Sequence, residues 1–208
     1  MKIVCFSDSH SMHEEVPIPH GDLLIFAGDM SRCREVQEAV RFNRFLATLP
    51  HPYKIVIGGN HDLLLSENKK QARELLSNAI YLEDDHITVQ GIKIYGAPWQ
   101  PVFNHRACAA FALPRGTPLR SKWEKIPHDV NILVTHTPPV GVMDEDQSIG
   151  HGCSDLLEAV HRVKPRYHIF GHIHNHNGVI ANGTTFINCN VRGPRGQIRE
   201  ALAFDYSA

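Results

Sequence analysis

Seven residues of metal-ligating type recur along this chain: Asp8 and His10, Asp29, Asn60, His136, and His172 with His174. Together they offer carboxylate, amide-oxygen and imidazole donors. That is too many for one four-coordinate zinc. It is the right number for two divalent ions sharing a bridging carboxylate, a pair that sits ~3.5–4 Å apart and clamps both oxygens of an in-line displacement at phosphorus. Mixed nitrogen and oxygen ligation suits manganese, iron, zinc, cobalt or nickel more than magnesium or calcium. Each residue alone has a plainer role open to it. Asp8 could cap a turn, Asn60 could take a left-handed turn conformation, and His136 could be a satisfied core histidine. The chemistry lies in the set.

The set is positioned by short apolar runs. Ile3–Phe6 precedes Ser7-Asp8-Ser9-His10, Leu23–Ala27 precedes Gly28-Asp29, and Ile55–Ile57 precedes Gly58-Gly59-Asn60-His61-Asp62. Ile132–Val134 precedes Thr135-His136, and His168–Phe170 precedes Gly171-His172-Ile173-His174. Continuous apolar runs of this length suit strands buried on both faces. Sites in α/β sheets form beyond the carboxyl ends of such strands, and all five runs end in ligand types there. Helical spacing lies between them, over Val36–Leu49, over Ala72, Leu75, Leu76 and Ala79, and over Leu156–Val163 with Ser154 as the expected N-cap. This alternation implies parallel strands joined by crossovers. Ile87–Tyr95 and Val179–Ile187 read as hairpins, the second around Asn182-Gly183, and Ala201–Tyr206 as a last strand. The expected fold class is therefore α/β, two mixed β-sheets flanked by helices, in a single domain over 1–208.

Composition narrows the function classes. With 208 residues, 42% hydrophobic and 21% charged, the chain can bury a sizeable core and is not a disordered one. Twenty-one basic against 22 acidic side chains give a net charge of −1, which argues against long nucleic acid as a partner. No run approaches a membrane span, and the N-terminal apolar stretch is too short for a signal peptide. The five Cys are dispersed without CxxC spacing and read as reduced thiols of a cytoplasmic protein.

The motifs D-x-H, GD, GNHD, a strand-end TH and GHxH, in this order from Asp8 to His174, resemble those of the calcineurin-like metallophosphoesterase superfamily. Tyr95-Gly96-Ala97-Pro98-Trp99, Arg115-Gly116, Thr135-His136-Thr137-Pro138-Pro139, Gly152-Cys153 and Phe170–His174 are most similar to its metallophosphoesterase-domain-containing (MPPED) subfamily. The resemblance implies that Asp8, His10 and His174 bind one metal and that Asn60, His136 and His172 bind the other, with Asp29 bridging. Some subfamily members lack a GHxH histidine and are impaired, whereas here both are present. Met30-Ser31 after Gly28-Asp29 departs from the protein Ser/Thr phosphatase branch.

The activity so implied is a dimetal phosphohydrolase, foremost a phosphodiesterase on small phosphodiesters such as cyclic nucleotides. A metal-bridging hydroxide would attack in line, with manganese the leading metal. His61 would protonate the leaving oxygen and Asp62 would orient His61, although a plain turn role fits Asp62 equally well. Rival readings are a nucleotide phosphomonoesterase, a nuclease, and a weakly active nucleotide-binding scaffold. Trp99 and Phe103 could stack on a base or only pack, and Arg32, Arg34 and Arg106 could meet a phosphate or stay solvated. His105 and His151 are expected near the site mouth, Gly141–Gly152 as a mobile loop, and the remaining His at the surface.

Overall fold

The computed structural model describes residues 1–33, 35–103, 108–146 and 149–206. In chain order the elements are β1 (Lys2–Phe6), β2 (Leu23–Ala27), α1 (Val36–Thr48), β3 (Tyr53–Ile57), α2 (Leu63–Glu67), α3 (Lys69–Leu75) and β4 (Ile80–Tyr81). Then come β5 (Asp85–Val89), β6 (Ile92–Ala97), β7 (Gln100–Pro101), β8 (Ala112–Leu113), α4 (Thr117–Trp123), β9 (Ile132–Thr135), β10 (Glu145–Asp146) and β11 (Ile149–Gly150). The chain closes with α5 (Ser154–Val163), β12 (Tyr167–Phe170), β13 (Gly178–Asn182), β14 (Thr184–Asn188) and β15 (Leu202–Asp205).

Two mixed sheets carry the site. One has the order β15-β1-β2-β3-β4, the other β13-β14-β12-β9-β6-β5. The strands bearing the ligand motifs pair in parallel, β1 with β2 and β2 with β3 in the first sheet, β9 with β12 in the second. Their carboxyl ends therefore open on the same side of each sheet. Alternation along each strand sorts its side chains between two cores. Ile3, Cys5, Ile25 and Ile55 face Ile94, Ile132, Val134 and Ile169 of the other sheet. Val4, Phe6, Leu24, Phe26 and Val56 pack outward on Phe42 and Leu46 of α1 and Ala72 of α3. On the far side, Tyr95, Leu133 and Phe170 pack on Leu119 and Trp123 of α4 and Leu156 and Val160 of α5. The result is the expected pair of mixed sheets with helices outside.

Some boundaries differ from the sequence reading. The helix expected to reach Ala79 ends at Leu75, because the chain must turn there to feed β4 beside β3. Its start is held by Asn68, whose side-chain oxygen accepts from the Lys70 and Gln71 amides at 3.0 and 3.1 Å. Ser154 lies inside the first turn of α5; Cys153 holds the cap position and makes no side-chain cap bond. Helix α4 was not foreseen, although Pro118 in its first turn is a helix-start signal. The described part of Gly141–Gly152 carries the small β10–β11 hairpin. Among the described residues no helix is long and apolar enough to cross a membrane.

Candidate metal centre

Four of the seven ligand-type residues leave their strands in the left-handed backbone region: Asp8 (φ 59°), His10 (φ 42°), Asp29 (φ 61°) and His172 (φ 69°). Such a conformation is unfavourable for a residue with a Cβ and persists only where its surroundings over-determine it. Here backbone bonds do so. The Asp8 amide donates to the Gly28 carbonyl at 2.9 Å and the His10 amide to that of Asp29 at 3.0 Å, tying the β1 and β2 turns together. The His172 amide donates to the Asp8 carboxylate at 3.0 Å, which ties the two sheets across the site. Gly171 makes this approach possible, since a Cβ there would run into the Ser7 hydroxyl and the Asp8 carboxylate.

The side chains converge as three groups, Asp8–His10–His174, His10–Asp29–His61 and Asp29–His136–His172, each offering donor atoms within 4.8 Å of one another. One oxygen of Asp29, Oδ2, faces both neighbouring groups, 3.8 Å from His10 Nε2 and 3.4 Å from His136 Nε2. Its other oxygen accepts from the His61 amide at 2.8 Å. Asn60 Oδ1 lies 3.0 Å from His136 Nε2 and 2.9 Å from His172 Nδ1. His10 Nε2 and His174 Nε2 face each other at 3.3 Å, with Asp8 Oδ1 3.4 Å from the latter. Two imidazole nitrogens aimed at one point beside a carboxylate suit a shared cation, so the donor set fits two divalent ions.

Electrostatics agree with that fit. Burial pushes the Asp8 carboxyl up, but His174 and His136 outweigh it and hold it at about 2. Asp29 is likewise held below the usual carboxylate range by His136 and His10 against its burial. His136 is driven by Asp29 and Asp8 up to about 9, although burial opposes protonation. The buried carboxylates thus stay anionic and hold a proton on His136, which a divalent ion bound there would displace.

The match to a known family spans all of these residues. Residues 1–176 match the family described as Calcineurin-like phosphoesterase. The chain belongs to this family. It is 42% identical over 219 residues to human Metallophosphoesterase domain-containing protein 1, as it is to the mouse protein. That alignment covers 91% of this chain and 66% of the human protein, so the chain spans just under two thirds of that relative. A UPF0046 protein of Caenorhabditis elegans is 38% identical over 222 residues, covering 98% of this chain and 75% of its own length. Phosphopantetheinyl hydrolase of Mycobacterium tuberculosis shares the fold, with a TM-score of 0.65 at 15% identity over 94% of this chain and 90% of that one.

Within this phosphoesterase, several expectations need correction. Asp62 does not orient the His61 ring. Its carboxylate accepts from the amides of Asp29 (2.9 Å), Gly59 (2.9 Å) and Ser31 (3.0 Å), and from the Ser31 hydroxyl (2.9 Å). It locks the β2 turn onto the β3 turn, while burial and the charge of Asp29 raise its pKa to about 6. The His61 ring is held instead by the Arg32 carbonyl, 3.1 Å from Nδ1. A carbonyl can only accept, so Nδ1 carries a proton and Nε2 is left to act.

Cys33 and Cys108 are not reduced thiols but a disulfide, 75 residues apart in sequence with Cα atoms 6.0 Å apart. The turn after β2 meets the segment after β7 there, a proximity that spacing along the chain cannot show. Cys5, Cys153 and Cys189 are free and buried, as expected. Trp99 is occupied structurally: its indole N–H donates to Asp84 at 2.5 Å and the Lys122 ammonium sits 3.5 Å over its ring. Phe103 does lie at the site, stacked on His172 with ring centroids 5.3 Å apart, and His151 packs against it at 5.3 Å. Of the remaining His, His13, His51 and His168 are buried rather than exposed. Arg34, His105 and Arg106 lie outside the described residues.

Sequence reasoning also missed the buried amides that hold the GHxH turn. Asn190 Nδ2 lies 3.0 Å from the carbonyl of His174 and 3.1 Å from that of His176, and Asn188 Nδ2 donates to Ile173 O at 3.2 Å. The signal was an Asn-Cys-Asn triplet at the end of a strand, which is weak by itself.

Proposed function

We propose that this chain is a dimetal phosphodiesterase acting on small phosphodiesters such as cyclic nucleotides. The observation that carries this reading is Asp29, whose single oxygen Oδ2 faces a ligand of each group at 3.8 and 3.4 Å. Asp8, His10 and His174 would hold one ion, Asn60, His136 and His172 the other, and Asp29 both. Two divalent ions there, manganese foremost, would polarise the phosphoryl oxygens and lower the pKa of a water to near 7.

The chain's own residues divide the remaining work. Asp62 fixes the Asp29 amide, so the bridging carboxylate keeps its aim. His61 lies in one group with Asp29 and His10; with Nδ1–H committed to the Arg32 carbonyl, it would give a proton to the leaving oxygen from Nε2 when the ring is protonated at both nitrogens. Phe103 offers an apolar face beside His172 for a base. The near-neutral charge supports a small phosphodiester or nucleotide as partner rather than long nucleic acid or membrane.

The test is hydrolysis of bis-p-nitrophenyl phosphate against p-nitrophenyl phosphate by metal-stripped protein, with and without added Mn²⁺. The proposal expects Mn²⁺-dependent cleavage favouring the diester, loss of metal and turnover in Asp29→Asn, and metal retained but turnover lost in His61→Ala. Preference for the monoester would move the assignment to a phosphomonoesterase.

A further inference from the structure

Beyond β14 the chain forms a tight hairpin over residues 191–199. The Gly193 amide donates to Gln197 O at 2.7 Å and the Arg199 amide to Val191 O at 2.8 Å, with Arg192 bridged to Ile198. The stretch from Cys189 to Arg199 holds Arg192, Arg195 and Arg199 and no acidic residue. Its base is bolted to the metal centre by the buried Asn190 amide, which reaches the carbonyls of His174, His176 and Arg192 at 3.0, 3.1 and 2.9 Å. The hairpin is therefore held rigidly against the GHxH turn.

Two of its cations reach the rim of the site. Arg199 donates to the carbonyl of His174 at 3.4 Å, and Arg192 lies against the Met12 thioether at 2.6 Å, two residues from His10. Arg32 joins them from the β2 turn, donating through Nε to the carbonyl of His10 at 3.3 Å. None of the three side chains pairs with a carboxylate among the described residues; the arginines in such pairs there are Arg41, Arg73 and Arg120. Each anchoring contact engages one of the five N–H donors of a guanidinium, so the others remain to be met. Carbonyls and a thioether fix the positions of these cations, and the Glu38 carboxylate beside Arg32 accepts from the Arg32 backbone amide, at 3.2 Å, and from the Ser11 hydroxyl rather than from the guanidinium. Three guanidinium groups without a carboxylate partner among the described residues, beside one set of ligands, make a station for phosphate oxygens.

We propose that Arg32, Arg192 and Arg199 form a second anion site beside the Asp8–His10–His174 ligands. It would bind a phosphate group of the substrate other than the one hydrolysed. The inference rests on the phosphodiesterase reading and refines its substrate class to small nucleotides carrying an additional phosphate.

Two substrates test it, the p-nitrophenyl esters of thymidine 5′-phosphate with a free 3′-hydroxyl and with a 3′-phosphate, given to the Mn²⁺-loaded protein. The expected result is a kcat/KM at least tenfold higher for the 3′-phosphate ester, expressed in KM and shrinking with added salt. The metal ions also attract the extra phosphate, so the deciding quantity is the ratio between the two esters in Arg192→Gln/Arg199→Gln. It should fall several-fold toward one. A wild-type ratio at or below one, or a ratio untouched by the double substitution, overturns the proposal. Calorimetric binding of thymidine 3′,5′-bisphosphate against thymidine 5′-phosphate gives a readout independent of turnover. If neither ester is cleaved, the phosphodiesterase reading fails, while a bisphosphate preference that the double substitution removes would still establish the station. Equal affinities for the two nucleotides would refute it.

Discussion

His168 is buried in the second sheet, and its ring makes one polar contact among the described residues, Nε2 to the Thr135 hydroxyl at 2.8 Å. That hydroxyl donates in turn to the Thr137 carbonyl at 2.8 Å, so it receives the His168 proton and brackets His136. Nδ1 has no partner, and a proton placed there would meet no acceptor. Burial accordingly pushes the imidazole from 6.5 down to about 3. Because the folded pKa lies below the unfolded one, the unfolded chain binds more protons between these values. The stabilisation is complete above pH 6.5 and is lost as pH falls toward 3. The unfolded chain gains about 1.4 kcal/mol for each pH unit below its own pKa, so the loss between pH 7 and pH 5 is about 2 kcal/mol. His168→Gln removes the titration while keeping an N–H donor for Thr135. In urea unfolding of metal-stripped protein, the wild type should lose about 2 kcal/mol more than the variant between pH 7 and pH 5. Protonation of the ligand histidines is common to both proteins and cancels in the difference. Equal losses would refute the reasoning, because His168 would then be hydrated or protonated in the folded state.

Three further outcomes follow from particular contacts. Gly171→Ala places a Cβ against Ser7 and the Asp8 carboxylate, and should weaken Mn²⁺ binding at least tenfold in a metal titration; unchanged affinity would mean that the turn can shift without disturbing Asp8. Trp99→Phe removes the donor to Asp84 and should cost about 1–3 kcal/mol in urea unfolding while leaving KM for a nucleotide ester within twofold. A large rise in KM at unchanged stability would instead make Trp99 a base platform. Cys33→Ser opens a loop of 75 residues and should lower the stability of the oxidised protein by up to about 4 kcal/mol; no difference from wild type under non-reducing conditions would show that the bridge does not form in solution.

Strand content was legible because apolar runs buried on both faces leave a local pattern, and each run ended in residues with few reasons to stand there together. β2 falls on Leu23–Ala27 as read, and the other ligand-bearing strands extend their runs by one or two residues. The seven ligand types were legible for the same reason, since a strand end fixes where the following side chain goes. Local pattern could not supply relations across the chain. Asp62 reads like a partner for its neighbour His61, yet burial leaves its carboxylate needing several donors, and the amides of Asp29, Gly59 and Ser31 were the ones in reach. Cys33 and Cys108 look like isolated thiols until two turns are brought together. The arginines of the 191–199 hairpin look like solvated surface until Asn190 ties that hairpin to the GHxH turn. Sequence alone determined the donor chemistry and the order of strands that present it, because both follow from residue type and short-range periodicity. Tertiary structure alone decided which Asp29 oxygen faces both ligand groups, which carbonyl orients His61 and which arginines meet the carbonyls of His10 and His174, because those depend on distances between segments far apart along the chain.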